Sequence, residues 1–173
     1  MKIQILALGG LAAAVMLLAR QASADTAVNL EAFMGITQDP ASWPAGDRIW
    51  DVCRAIARAE GYDRGPGCAP FDLNNPGDLS PGDEGSFSLA GDAQFHGGSY
   101  VLHFATPDDG WHALYNKIAR IARGHSTVYQ SNWTWEQIGA TYTGGANGVV
   151  WGRNVAAALG VDPGSTLADY VGV

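Results

Sequence analysis

Between two stretches with helical periodicity lies a run, Gly65 to Gly85, in which fourteen of twenty-one residues are Gly, Pro, Asn or Asp. Turn formers at that density sustain neither a helical nor a strand repeat, so the segment is expected to be a long structured loop. A long loop inside a compact domain is more often functional than idle. The elements on either side must therefore build the core and hold the loop in place.

Those elements are legible. Asp47 to Glu60 is the best helix, with Ile49, Cys53, Ile56 and Glu60 at spacings of four, three and four, and Gly61 standing where a helix C-terminal glycine belongs. Tyr100, Leu102 and Phe104 alternate with Val101 and His103 as in a strand, and Gly97-Gly98 predicts a turn from a partner strand near Ser86 to Phe95. Thr106-Pro107-Asp108 opens a helix to about Arg123, with proline at a tolerated first-turn position. Thr134 and Gln137 form a capping box for a helix to Tyr142. Trp151 to Leu159 reads as a further helix closed by Gly160, and Ser165 or Thr166 as the cap of a last short one. Upstream, Asn29 to Gln38 reads as a short helix and Asp39 to Gly46 as its linker. The order is that of an α+β fold, mainly helical with a small antiparallel sheet.

The first residues read as an address. Lys2, an apolar stretch from Ile3 to Ala19, and Ala22-Ser23-Ala24 are the three parts of a secretory signal. Residues 1–24 are thus expected to be a signal peptide, with 25–173 as one domain exported to the periplasm or the medium. An uncleaved membrane anchor is the other reading, because seventeen residues reach the lower edge of what spans a bilayer. The formal charge of −7 gives no footprint for nucleic acid. Export brings the two cysteines into an oxidising compartment, and Cys68 lies in the loop that must fold back beside the helix carrying Cys53, so a Cys53–Cys68 disulfide is expected.

Glu60 is the most unusual carboxylate. It extends the apolar stripe of its helix and sits in the last turn, where the helix dipole disfavours an anion. Burial and dipole together favour the protonated acid, the form that general-acid cleavage of a glycosidic bond requires. Position alone leaves a solvated Glu at a frayed end as the other reading. The loop beyond it carries Asn74-Asn75-Pro76-Gly77-Asp78-Leu79. Side-chain amides donate and accept together, which suits sugar hydroxyls and N-acetyl groups, although the same run also makes a structural Asx turn.

Ala55-Ile56-Ala57-Arg58-Ala59-Glu60-Gly61-Tyr62, then Gly65-Pro66-Gly67 and Asn74 to Leu79, resembles the opening of lysozyme-like peptidoglycan hydrolases. These are phage-encoded and bacterial proteins of the lytic transglycosylase type, related in fold to goose-type lysozyme. Phe104 to Leu114, Thr134 to Tyr142 and Asn154 to Pro163 are similar to that family's later helices, in the same order. The resemblance covers about Asp47 to Leu167. It implies a lysozyme-like fold, peptidoglycan glycan strands as substrate, Glu60 as catalytic acid and base, and a sugar groove lined by Asn74, Asn75 and Tyr142. Two places depart from it: Asp72-Leu73 stands where the family often has Arg-Asn, and Thr143 to Asn147 replaces a proline- and acid-containing loop.

Glycosidases that invert or retain use a carboxylate pair. Asp63, Asp72 and Asp78 flank the loop as candidates, whereas lytic transglycosylases resemble one-carboxylate enzymes that close a 1,6-anhydro ring on the sugar's own C6 hydroxyl. Trp151 is the tryptophan nearest the presumed groove, with the other five expected in core or rim packing. His96, His103, His112 and His125 have no metal-ligand spacing, so neither a metal nor another cofactor is expected. The expected partner is peptidoglycan alone, approached by a monomer, with membrane contact only through an uncleaved leader. A catalytically silent peptidoglycan-binding or assembly protein on the same fold is the rival reading.

Overall fold

Helix α1, Arg48–Glu60, starts because Asp47 turns its carboxylate onto the first orphan amides: Oδ1 accepts from the backbone of Ile49 at 2.9 Å and of Trp50 at 3.4 Å. It ends because Gly61 adopts φ +85°, and its N–H returns to the carbonyls of Ala57 and Arg58. Its buried face comprises Trp50, Val52, Cys53, Ala55, Ile56 and Ala57. Cutting Ile56 back to Ala would cost about 2–5 kcal/mol as a cavity in that face. These are features of a computed structural model that describes residues 46–83, 93–96, 99–144 and 146–173, all within the compact unit Ala45–Val173. The expected leader 1–24, the helix Asn29 to Gln38, most of its linker and Trp43 lie outside the described residues.

After a 3-10 turn, Tyr62–Arg64, and a single helical turn α2, Ala69–Asp72, the chain runs through the loop to a two-stranded sheet. Strands β1, Ala93–His96, and β2, Ser99–Leu102, pair antiparallel with Ala93 opposite Leu102 and His96 opposite Ser99. Helix α3, Pro107–Ala122, follows with the expected proline start and a capping box between Thr106 and Asp109. Its buried stripe of Trp111, Leu114, Ile118 and Ile121 packs on α1. Helix α4, Trp135–Tyr142, carries the Thr134–Gln137 capping box, and α6, Leu167–Val171, is capped by Thr166. The mainly helical chain with its small sheet matches the expected fold class.

Helix α5, Ala146–Leu159, begins five residues before the expected Trp151. The sequence there is rich in glycine and reads as loop, yet the glycines serve a helix crossing. A Cβ on Gly139 would collide with the Gly148 carbonyl oxygen, and one on Gly152 with that of Trp135. Helices α4 and α5 therefore meet backbone to backbone, and only glycine permits it. That close approach sets Tyr142 on α4 against Trp151 on α5.

The bridge expected between Cys53 and Cys68 is not formed; both are free thiols. Cys53 is buried on α1, whereas the Cys68 thiol donates to the Gly61 carbonyl at 3.2 Å, beyond the end of that helix. Eight residues of helical rise separate Cys53 from Gly61, roughly 12 Å. Disulfides need Cα atoms within about 7 Å.

Candidate active site

The loop reaches the core through Asn75. Its side chain is fully buried: Nδ2 donates to the carbonyls of Leu79 and Leu102, both at 2.9 Å, and Oδ1 accepts from the Leu79 amide at 2.8 Å. Asn74 Nδ2 donates to the Phe104 carbonyl at 3.0 Å. Two backbone bonds, Leu102 to Leu79 and Phe104 to Leu73, complete the clasp between loop and sheet. The expectation that Asn75 lines a sugar groove is thereby corrected, since a side chain with no exposed surface and every amide contact spent on main chain cannot touch a ligand. Asn74 is likewise committed to main chain, although it keeps some exposed surface.

That clasp presents Gly77 and Asp78 to the end of α1. Gly77 packs closely here: a Cβ there would lie 2.7 Å from Leu114 Cδ1 and 3.0 Å from the Tyr142 hydroxyl, so those side chains would have to give way. The Tyr142 hydroxyl donates to the Gly77 carbonyl at 2.7 Å. Its ring stacks on Trp151, with centroids 4.6 Å apart and planes 16° from parallel. Trp151 Nε1 in turn donates to Glu60 Oε1 at 2.8 Å. Four of the expected residues or segments thus converge: Glu60, the Gly77–Asp78 part of the loop, Tyr142 and Trp151.

The electrostatics follow from this packing. Burial, and next the negative charge of Asp78, push the Glu60 carboxyl up to about 7, against the opposing Trp151 hydrogen bond and the Lys117 charge. Burial also raises the Tyr142 hydroxyl well above its ordinary range, with Glu60 and Asp83 adding to it. Of the three aspartates considered as a second carboxylate, Asp78 is the one whose charge acts on Glu60. Asp72 braces the loop by accepting from the Gly67 amide at 3.1 and 3.2 Å, and Asp63 is exposed.

Lys117 was not singled out by the sequence. Its side chain is 2% exposed, and its ammonium sits 2.5 Å from Asp83 Oδ1, 4.1 Å from the Tyr142 ring centroid and 5.3 Å from that of Tyr129. The signal that marks Glu60 marks Lys117 too: it lies three residues after Leu114 and four before Ile121, on the apolar stripe of its helix. Trp50, Trp111 and Trp135 are core residues, and Trp151, expected at the groove, is buried with them. Among the described residues no group of three or more His, Cys, Asp or Glu side chains is placed to hold a metal ion, and no helix is long and apolar enough to cross a membrane. No family model, curated protein or solved structure matches the chain.

Proposed function

We propose that this is a lysozyme-like enzyme that cleaves the β-1,4 bond between N-acetylmuramic acid and N-acetylglucosamine in peptidoglycan, with Glu60 as general acid and then base. The observation that carries the reading is a helix-terminal Glu whose carboxyl is pushed up to about 7 while it faces a stacked Tyr–Trp pair. The ordered resemblance of the surrounding segments supports it.

The chemistry follows from the hydrogen bonding. Oε1 already accepts an N–H from Trp151, so the acid proton resides on Oε2. In the forward step Oε2–H protonates the glycosidic oxygen, and the C1–O bond breaks toward an oxocarbenium-like state. The carboxylate left on Glu60 then takes the proton of the muramoyl C6 hydroxyl as its oxygen bonds to C1. The product carries a 1,6-anhydro end. Asp78 contributes negative charge, which keeps Glu60 protonated before the reaction and stabilises the positive sugar during it. A carboxyl near 7 is matched to both halves of this cycle, since it gives and takes a proton at neutral pH with little driving force lost.

The test is a digest of purified sacculi by the wild type and by Glu60→Gln. Mass spectrometry of soluble muropeptides is expected to find anhydro-ended fragments from the wild type, and at least about a hundredfold fewer from the variant. Heavy oxygen from solvent water in the new ends would replace transglycosylation by hydrolysis. Binding of sacculi without release of any fragment would make the protein a silent wall binder.

A further inference from the structure

We infer that Lys117 is a positioning residue for the active site: its buried ammonium, clamped by Asp83, fixes the Tyr142 ring and, through the stacked Trp151 indole, the orientation of the Glu60 carboxyl. Lysine is almost never fully buried unless paired, and here the pairing is specific. The ammonium makes a 2.5 Å ion pair to Asp83, whose side chain is 24% exposed, and lies 4.1 Å from the centre of the Tyr142 ring. The other face of the same site is fixed by two directional bonds, Tyr142 to the Gly77 carbonyl at 2.7 Å and Trp151 to Glu60 at 2.8 Å.

Stability alone does not account for such a lysine. A buried ion pair exchanged for apolar side chains of similar volume is often neutral or stabilising. A methionine would fill much of the same space on α3. What methionine cannot supply is a cation against an aromatic face, which orders the ring by electrostatics as well as contact. Tyr142 lies at the last position of α4, where a helix end frays most readily, so a second anchor there has a purpose.

Glu60 is influenced by Asp78 from the loop and Lys117 from α3, and Tyr142 on α4 is influenced by Glu60, Asp83, Tyr129 and Asp78. Lys117 is the cation acting on Glu60 within this group, so its removal has a sign. Without it the Glu60 carboxyl titrates higher, and the Tyr142–Trp151 stack loosens.

This inference deepens the proposed function and shares its site, but its primary readouts need no substrate. The Glu60 carboxyl is followed by ¹³C NMR across pH in full-length protein, assigned by its loss in Glu60→Gln, and the ring stack by near-ultraviolet circular dichroism. Lys117→Met is expected to move the Glu60 midpoint upward and to reduce the aromatic dichroism. Lys117→Arg, which keeps the charge, is expected to restore most of both. Should Lys117→Met fail to fold, Lys117→Met with Asp83→Asn removes cation and anion together and carries the same two expectations. An unmoved midpoint and an unchanged aromatic spectrum in a folded Lys117→Met or double variant would overturn the inference. On sacculi, Lys117→Met is expected to lose at least about tenfold in kcat with KM little changed, because the interaction that positions the acid is realised in the reaction step. If the spectroscopic shifts occur while even the wild type releases no muropeptide, the peptidoglycan reading fails and the role of Lys117 in positioning Glu60 stands.

Discussion

Replacing Glu60 by Gln is expected to stabilise the protein at pH 8 and leave its stability almost unchanged at pH 4. The Glu60 carboxyl is pushed from 4.5 to about 7 in the folded chain, chiefly by burial. The folded state therefore holds this proton more tightly than the unfolded state does. Below about pH 4.5 the group is protonated in both states and favours neither. As pH rises toward 7 the unfolded chain ionises first, and the wild type loses stability until the folded carboxyl also ionises. The span from 4.5 to about 7 amounts to roughly 3 kcal/mol at 25 °C, as an upper figure for a side chain that keeps some solvent contact. Gln conserves shape, and its amide oxygen still accepts from Trp151 Nε1. Urea denaturation of both proteins at pH 4, 6 and 8 measures the difference directly, because all other ionisable groups are common to the pair. The expected difference grows from near zero to at most roughly 3 kcal/mol in favour of the variant, while turnover falls by about a hundredfold or more. A stability difference that stays flat over this range would refute the claim that folding raises the Glu60 carboxyl.

Trp151→Phe keeps an aromatic ring to stack on Tyr142 but removes the N–H that favours the Glu60 anion, so the NMR midpoint of Glu60 is expected to rise further and the alkaline limb of activity to move with it. Asn75→Ala strands the Leu79 amide and takes the side-chain donor from the Leu102 carbonyl, while the Leu79 carbonyl keeps the Leu102 N–H; it is expected to cost about 3 kcal/mol by chemical denaturation, with the loop rather than the helices exposed first to hydrogen exchange. Alkylation without reductant is expected to label Cys68 in the native protein and Cys53 only after unfolding, since Cys53 is fully buried and burial pushes its thiol up.

What was legible in the sequence was local. Caps and periodicity placed α1, α3, α4 and α6 within a residue or two, because each is delimited by short-range chemistry: Asp47 and Gly61, Thr106 and Asp109, Thr134 and Gln137, Thr166 and Asp169. The start of α5 is not legible in the sequence, for the opposite reason. Gly148 and Gly152 are poor helix formers taken alone, and their presence is explained only by the helix that crosses them. The disulfide erred similarly. Chain spacing brought Cys68 back to α1, but to the Gly61 end and not to Cys53.

The site divides along the same line. The burial of Glu60 and its raised carboxyl could be read because a carboxylate on an apolar stripe contradicts its own helix. The role of Asn75 is not legible in this way, because an amide run suits a sugar and an Asx turn equally. Only the three partners of Asn75 decide between them. Asp78 combines the two lessons. It sits at φ +48°, a left-handed conformation that glycine would adopt without strain, beside an Asn74 at +51°. Asn and Asp bear that conformation better than other side chains, yet at position 78 the choice of Asp over Gly or Asn adds a negative charge that raises the Glu60 carboxyl. The charge that Asp78 brings to this turn acts in the same direction as burial, and the two together hold the Glu60 carboxyl at about 7, so that at neutral pH the protonated and ionised forms are both well populated.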